Sequence, residues 1–164
     1  MKNVTSLTGP LRDLTKAANP WTWGPEQEAA FQATKRALSE ETTLAYFDPQ
    51  KESTLAVDAS PTGLGAVQRQ QDGEWAPIAY ASRALTSTEQ RYSHIEKEAI
   101  AILWGCRHFH IYIYGRPLKV YTDHKPLVPL FQGTVSTPPP RIEKWILQLQ
   151  EYQLQVEYKP GLNN

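Results

Sequence analysis

Short apolar runs separated by turn residues fill the middle of the chain, and this pattern predicts three sequential strands. We place them at residues 53–58, 64–70 and 74–81. Gly73 lies between the last two and suits a hairpin turn, because glycine readily takes a positive φ. Short connections of this kind favour an antiparallel meander. The second strand is one apolar residue short, since Val67 is followed by three polar residues, and this predicts a weakened edge beside the first strand.

A helical stripe follows the meander. Apolar residues recur at spacings of three and four between residues 88 and 112, which predicts one long helix capped by Thr86 or Ser87. Gly105 shares a helical face with Glu98, and a glycine at this position predicts close packing of the helix on the sheet. The stripe itself consists of Tyr92, Ile95, Ala99, Ile102, Cys106 and Phe109.

The patterns after the long helix predict two more strands and two more helices. The strands lie at 118–123 and 154–158, and between them we expect a short helix over 124–131 and a longer one over 140–150.

The N-terminal part is patterned more weakly. Residues 1–24 look irregular, because Pro10, Pro20 and Gly24 interrupt them. Residues 26–39 have a modest apolar face at helical spacing and predict a helix. This part of the chain carries no recognisable chemistry and is interpreted as a packing appendage.

The order of these elements predicts the fold class. A strand–helix–strand unit usually forms a right-handed parallel crossover, which places the fourth strand beside the first. We therefore expect an α/β fold with a mixed five-stranded sheet, three strands antiparallel and two parallel, flanked by helices. Asp58 ends the first strand and Asp123 ends the fourth. Both carboxylates then emerge at the same edge, where open α/β sheets place their sites.

Composition narrows the possibilities only slightly. A chain of 164 residues fits one domain with or without a short appendage. Lys plus Arg and Asp plus Glu both number 17, and this balance neither indicates nor excludes a nucleic-acid partner. The single cysteine, Cys106, excludes an internal disulfide. No apolar run is long enough to span a membrane.

Two neighbouring acids repel each other and need a proton or a metal between them. The long helix offers Glu96 or Glu98 as a third acid. Glu98 lies about 60° from the middle of the apolar stripe and Glu96 about 100°, so Glu98 is expected to point at the sheet. An all-oxygen group of Asp58, Glu98 and Asp123 suits Mg²⁺ or Mn²⁺. The alternative stays open at this point, because acids at strand and helix ends are common on solvated surfaces.

Several blocks of the sequence resemble the ribonuclease H domain of long-terminal-repeat retroelements, the gypsy class in particular. The resemblance covers nearly the whole chain, with the blocks in the family's order. They are residues 57–60 with 63–67, 77–83 (PIAYASR), 95–102 (IEKEAIAI), 121–127 (YTDHKPL) and 158–161 (YKPG).

The resemblance also implies a division of the chain. Residues 10–14 (PLRDL) and 21–23 (WTW) resemble the end of the reverse transcriptase connection. We therefore expect a connection remnant over 1–45 and a ribonuclease H-like domain over 46–164. The family's fourth acid falls just beyond Asn164, so this domain is expected to lack its last helix and to have impaired activity as given.

The family cuts the RNA strand of RNA–DNA hybrids with two Mg²⁺ (or Mn²⁺) ions. The resemblance implies that Asp58, Glu98 and Asp123 are the catalytic acids and metal ligands. It implies the hybrid and the reverse transcriptase domain of the same polyprotein as partners, a location in cytoplasmic retroelement particles, and no membrane. Ser60, Arg83 and His124 are candidates for substrate contact, although the residues themselves favour a surface role for Arg83 and helix capping or a solvated role for His124.

Two rival functions remain at the level of sequence. One is a catalytically inactive ribonuclease H-like binding or scaffold module. The other is a different metal-dependent phosphotransferase on a similar fold.

Overall fold

The computed structural model describes residues 7–16, 19–39, 44–134 and 137–160. The chain divides close to residue 44 into a small N-terminal unit and a larger C-terminal unit. Gly161, which ends the last resembling segment, and residues 162–164 before the expected fourth acid lie outside the described residues.

The N-terminal unit contains helices α1 (Gly9–Leu14) and α2 (Pro25–Ser39). The prediction that residues 1–24 are irregular is wrong for α1. Pro10 stands in the first turn of that helix, where its missing N–H leaves no hydrogen bond unmade. A proline that looked like a helix breaker is therefore part of a helix start.

Five strands form a single mixed sheet in the larger unit. They are β1 (Ser53–Ala59), β2 (Gly63–Asp72), β3 (Glu74–Ala84), β4 (Pro117–Thr122) and β5 (Gln153–Tyr158), and their spatial order is β3-β2-β1-β4-β5. The β1–β2 and β2–β3 pairs are antiparallel, whereas β1–β4 and β4–β5 are parallel. The predicted fold class and the placement of strand four beside strand one are both confirmed.

Strand β2 is paired along its length despite its polar residues, and a weakened edge beside the first strand stays a prediction. The strand runs ten residues and pairs with β1 and β3 on its two sides. Gln68 is fully buried, and only a register shift between Gln68 and Arg69 interrupts the β3 ladder. Ladder hydrogen bonds come from the backbone, so polar side chains do not end a strand that has partners on both sides. Gly73 closes the hairpin with φ +75°.

The long helix predicted over 88–112 is three separate pieces. They are a 3₁₀ turn (Glu89–Arg91), helix α3 (His94–His108) and helix α4 (His110–Ile113). The chain is extended at Ser93, with ψ 161°.

A capping box explains why α3 begins where it does. The backbone N–H and the hydroxyl of Ser93 both donate to Glu96 Oε2, each at 2.9 Å. Thr86 or Ser87 as the cap of this helix is therefore wrong. Thr86 instead exchanges hydrogen bonds with Glu89 at the preceding turn.

The other elements match their predicted positions with shifted ends. Helix α5 spans Leu127–Phe131, shorter than the predicted 124–131, and helix α6 spans Pro140–Gln148. In the described part of the chain, no helix has the length and apolarity required to cross a bilayer.

Helix α3 packs on β1 and β2, and α6 packs on α3. A Cβ at Gly105 would lie 3.1 Å from Val57 Cγ1 and 3.3 Å from Leu55 Cδ2. The predicted close approach at Gly105 is confirmed. This contact sets the distance between α3 and β1, the two elements that carry Glu98 and Asp58.

Candidate active site

Asp58 and Asp123 lie side by side at the carboxyl edge of two neighbouring parallel strands. Asp58 is the second-last residue of β1, and Asp123 directly follows β4. Ala56 pairs with Tyr121 in the parallel ladder, so two further residues along each strand bring the two acids level. Both side chains remain exposed.

Glu98 approaches the same edge from helix α3. It is 1% exposed, and one carboxylate oxygen from each of Asp58, Glu98 and Asp123 lies within 4.8 Å of the others. Glu96, the rejected alternative, is occupied at the helix start with Ser93 and with the guanidinium of Arg141. The helical-angle argument from the sequence therefore selected the glutamate that the structure places beside the two aspartates.

Burial and crowding raise the proton affinity of Glu98 and Asp58. Burial, followed by the charges of Asp123 and Asp58, raises the pKa of Glu98 to about 8. Partial burial of its carboxylate, followed by the charge of Asp123, raises the pKa of Asp58. Close carboxylates with raised pKa values have a strong affinity for a counter-charge, whether a proton or a cation.

Glu98 has one hydrogen-bond partner and one unused oxygen. Its Oε1 accepts a hydrogen bond from the backbone N–H of Ala59 at 3.3 Å. Its Oε2 is buried and has no partner among the described residues. A buried carboxylate oxygen without a donor is costly, and a cation shared with Asp58 and Asp123 would remove that cost. The three all-oxygen ligands match the preference of Mg²⁺ and Mn²⁺.

The three predicted substrate-contact residues differ in how far their side chains are already engaged in contacts within the chain. The Ser60 hydroxyl donates to the Gly63 carbonyl at 3.1 Å and accepts from the Gly63 N–H at 2.8 Å, so it shapes the turn after β1. Arg83 forms a two-bond ion pair with Glu89, at 2.7 and 2.8 Å, and lies over the Trp104 ring. This pairing lowers the pKa of Glu89 to about 2. Ser60 and Arg83 thus have structural contacts that account for them.

His124 lies at the acidic edge itself. It is half-buried, and its backbone N–H donates to Thr122 Oγ1 at 3.1 Å. Burial, followed by the charge of His94, lowers the pKa of His124, and Asp123 opposes this shift. Its imidazole is therefore neutral near pH 7 and is able to donate or accept a hydrogen bond.

Sequence reasoning missed His94. Its ring centroid lies 5.0 Å from that of His124, and its charge acts on Asp58. The available signal was its spacing, because His94 precedes Glu98 by four residues and four residues is about one helical turn. The predicted helix over 88–112 contains the same spacing, but it did not mark His94 as the first residue of the helix.

Solved structures share this architecture. One is the foamy viral protease-reverse transcriptase in complex with RNA/DNA hybrid, with a TM-score of 0.69, 23% identity, and coverage of 99% of this chain and 23% of that one. Another is the N-terminal ribonuclease H domain of rv2228c from Mycobacterium tuberculosis, fused to maltose-binding protein, with a TM-score of 0.55, 18% identity, and coverage of 70% and 86%. These similarities establish a ribonuclease H-like fold.

The sequence comparison identifies the family. Residues 48–152 match the family model described as the RNase H-like domain found in reverse transcriptase. The chain therefore belongs to that family, as the sequence blocks predicted.

Curated relatives are retroelement polyproteins. The retrovirus-related Pol polyprotein from transposon 412 of Drosophila melanogaster is 39% identical over 165 residues, covering 100% of this chain. The transposon Tf2-3 polyprotein of Schizosaccharomyces pombe is 32% identical over 165 residues, covering 98% of this chain. The chain spans only 13% and 12% of the length of these two relatives.

Proposed function

We propose that this chain hydrolyses the RNA strand of RNA–DNA hybrids, endonucleolytically, during reverse transcription of a retroelement. The observation that carries the proposal is the meeting of Asp58, Glu98 and Asp123 at one sheet edge, where one buried Glu98 oxygen has no donor within the described part of the chain. The family of the chain and the hybrid-bound foamy viral relative support the choice of substrate.

The three carboxylates are proposed to hold two Mg²⁺ or Mn²⁺ ions. Bound ions of this kind lower the pKa of an attacking water and stabilise charge on the phosphate that is cut. In this proposal Asp58 would help to hold both ions. The Ala59 N–H fixes one oxygen of Glu98, and the other oxygen has no partner among the described residues.

Residues around the acids orient the substrate in this proposal. His124 is the strongest candidate for a contact to the hybrid backbone, because its ring lies at the edge and its imidazole is neutral near pH 7. Ser60 holds the turn after β1, and Arg83 is a phosphate contact only if it exchanges Glu89 for a phosphate. Recognition of backbone and 2′-hydroxyl, with no reading of base sequence, suits such a site.

The N-terminal residues 1–45 are proposed to be the end of a reverse transcriptase connection. The reverse transcriptase domain of the same polyprotein is then the partner, and the site of action is a retroelement particle in the cytoplasm. The polyprotein relatives, which match this chain over nearly its whole length, support this assignment.

A labelled RNA–DNA hybrid tests the activity. We expect Mg²⁺-dependent cleavage of the RNA strand alone, and loss of cleavage in Asp58→Asn. Glu96→Gln is the matched control, because Gln keeps the capping hydrogen bonds of α3 and touches none of the three acids.

The test needs a second, longer chain that continues past Asn164 through the expected fourth acid. Cleavage by the longer chain and weak cleavage by the present one support the proposal. If both chains bind the hybrid and neither cuts it, the inactive binding module replaces the enzyme. If DNA strands are cut equally well, the phosphotransferase alternative gains.

A further inference from the structure

Two histidines from different elements meet beside the acidic edge. His94 is the first residue of α3, and His124 directly follows Asp123 after β4. Their ring centroids are 5.0 Å apart, with the ring planes tilted by 40°. Both positions are anchored by backbone contacts, since the capping box holds the start of α3 and the Thr122 hydroxyl accepts the His124 N–H.

This spacing matches two imidazoles that share one metal ion. Zinc–nitrogen bonds are about 2.0–2.1 Å long, so two rings on one tetrahedral zinc have centroids roughly 5 Å apart. The centroids of His94 and His124 already stand at that separation.

The neighbouring charges also favour a cation. Asp58 lies within electrostatic range of His94, and Asp123 within range of His124. Both aspartates have exposed side chains, which gives them freedom to rotate and to supply a third ligand. The lysine or arginine of α3 that is nearest to His94 in the sequence is Lys97, three residues further along.

We propose that His94 and His124 form a second metal site, selective for Zn²⁺ and similar imidazole-binding cations such as Co²⁺, Ni²⁺ and Cu²⁺. Imidazole suits these ions, whereas the all-carboxylate group suits Mg²⁺ and Mn²⁺. The two sites therefore differ in ligand chemistry although they share an edge.

Occupancy of this site restrains Asp58 or Asp123 and places an ion where the substrate backbone must enter. We therefore expect zinc to slow the cleavage of the hybrid. That consequence rests on the proposed function, whereas metal binding at the two histidines does not, so the failure of one is distinguishable from the failure of the other.

Visible absorption of Co²⁺, bound to the full chain in excess Mg²⁺, tests the site. Excess Mg²⁺ competes with Co²⁺ for the all-carboxylate group, so a Co²⁺ signal that is lost on substitution of either histidine reports the imidazoles. We expect one Co²⁺ per chain, displaced by Zn²⁺, and a dissociation constant raised at least about tenfold in His94→Asn and in His124→Asn. His108→Asn is the control, because His108 is exposed on the same helix and its ring contacts are with Trp104 and Phe109.

The two histidine variants are independent arms, and thermal unfolding in EDTA identifies any variant that fails to fold. The proposal is overturned if the wild-type chain gives no displaceable Co²⁺ band, or if a folded His94→Asn or His124→Asn chain binds Co²⁺ as tightly as His108→Asn.

Discussion

At the scale of single residues, the burial of one carboxylate dominates the chemistry of the site. Glu98 is 1% exposed, next to two other acids, with a single backbone donor. Without a metal, its ionised form is disfavoured by burial and by both aspartates, which is why its pKa rises to about 8. The same arrangement that weakens the metal-free protein makes the site ready for a cation.

The raised pKa of Glu98 has a consequence for stability. The folded chain holds a proton on Glu98 up to about pH 8, whereas an unfolded glutamate releases it near pH 4.3. The folded state therefore binds more protons in this window, and its stability falls as pH rises from about 4.5 to about 8. We expect Glu98→Gln to raise the free energy of unfolding at pH 8 in EDTA, on the order of 2–4 kcal/mol.

Urea unfolding between pH 5 and 9 in EDTA measures this effect, and Glu96→Gln is its control. Glu96 has the opposite shift: although partial burial raises its pKa, the hydrogen bonds from Ser93 and the charge of Arg141 lower it overall. The ionised Glu96 carboxylate contributes stability at pH values above the usual glutamate pKa. Glu96→Gln removes this carboxylate and is therefore expected to destabilise the chain slightly near neutral pH. A pH profile of Glu98→Gln that parallels the wild type contradicts the assignment.

At the scale of elements, the start of α3 positions the site. The capping box places the first turn at His94, and Glu98 then lies one turn further along. His94 and Glu98 would keep their four-residue spacing in an unbroken helix from residue 88. In the structure, the 3₁₀ turn and the extended residue Ser93 redirect the chain just before the helix begins. The cap therefore determines where both His94 and Glu98 meet the sheet edge.

Two serines distinguish the observed helix start from the one that sequence patterns favoured. Ser93→Ala removes a hydroxyl that donates to Glu96 at 2.9 Å, and we expect it to cost about 1 kcal/mol of stability. Ser87→Ala, at an exposed position, is expected to change stability by less than about 0.5 kcal/mol. Urea unfolding at pH 7 compares them, and equal losses, or a larger loss for Ser87→Ala, reject the capping role of Ser93.

At the scale of the whole molecule, long-range topology was more predictable than local boundaries. The parallel β1–β4 pair followed from a general handedness rule and a single crossover helix, and it was enough to bring Asp58 and Asp123 together. The helical angle was enough to choose Glu98. By contrast, the helix start at His94 depended on a local Ser–Glu exchange that the periodic apolar stripe concealed, so the His94–His124 pair stayed hidden.

The buried side of the sheet shows what a strand pattern alone does not reveal. Gln68 and Gln70 are almost completely buried, and a polar residue in a strand pattern indicates exposure only when one face meets water. Gln70 is accounted for by hydrogen bonds to Ser53 and to the backbone of Asp48. Partners that lie 17 and 22 residues away in sequence are not readable from a strand pattern.

The division of the chain near residue 44 leads to a last prediction. Asp58, Glu98 and Asp123, with the strands and helix that carry them, all lie in the larger unit. Ligand binding stabilises a fold by an amount set by its concentration relative to its dissociation constant. We therefore expect a chain that begins at residue 44 to show the same Mg²⁺-dependent rise in melting temperature as the full chain, even if its metal-free melting temperature differs.

Thermal unfolding with a Mg²⁺ titration measures the rise, and Asp123→Asn in both backgrounds is the control that should abolish it. A folded shorter chain that Mg²⁺ no longer stabilises would show that the N-terminal residues contribute to the metal site, and the site could then no longer be assigned to the ribonuclease H-like unit alone.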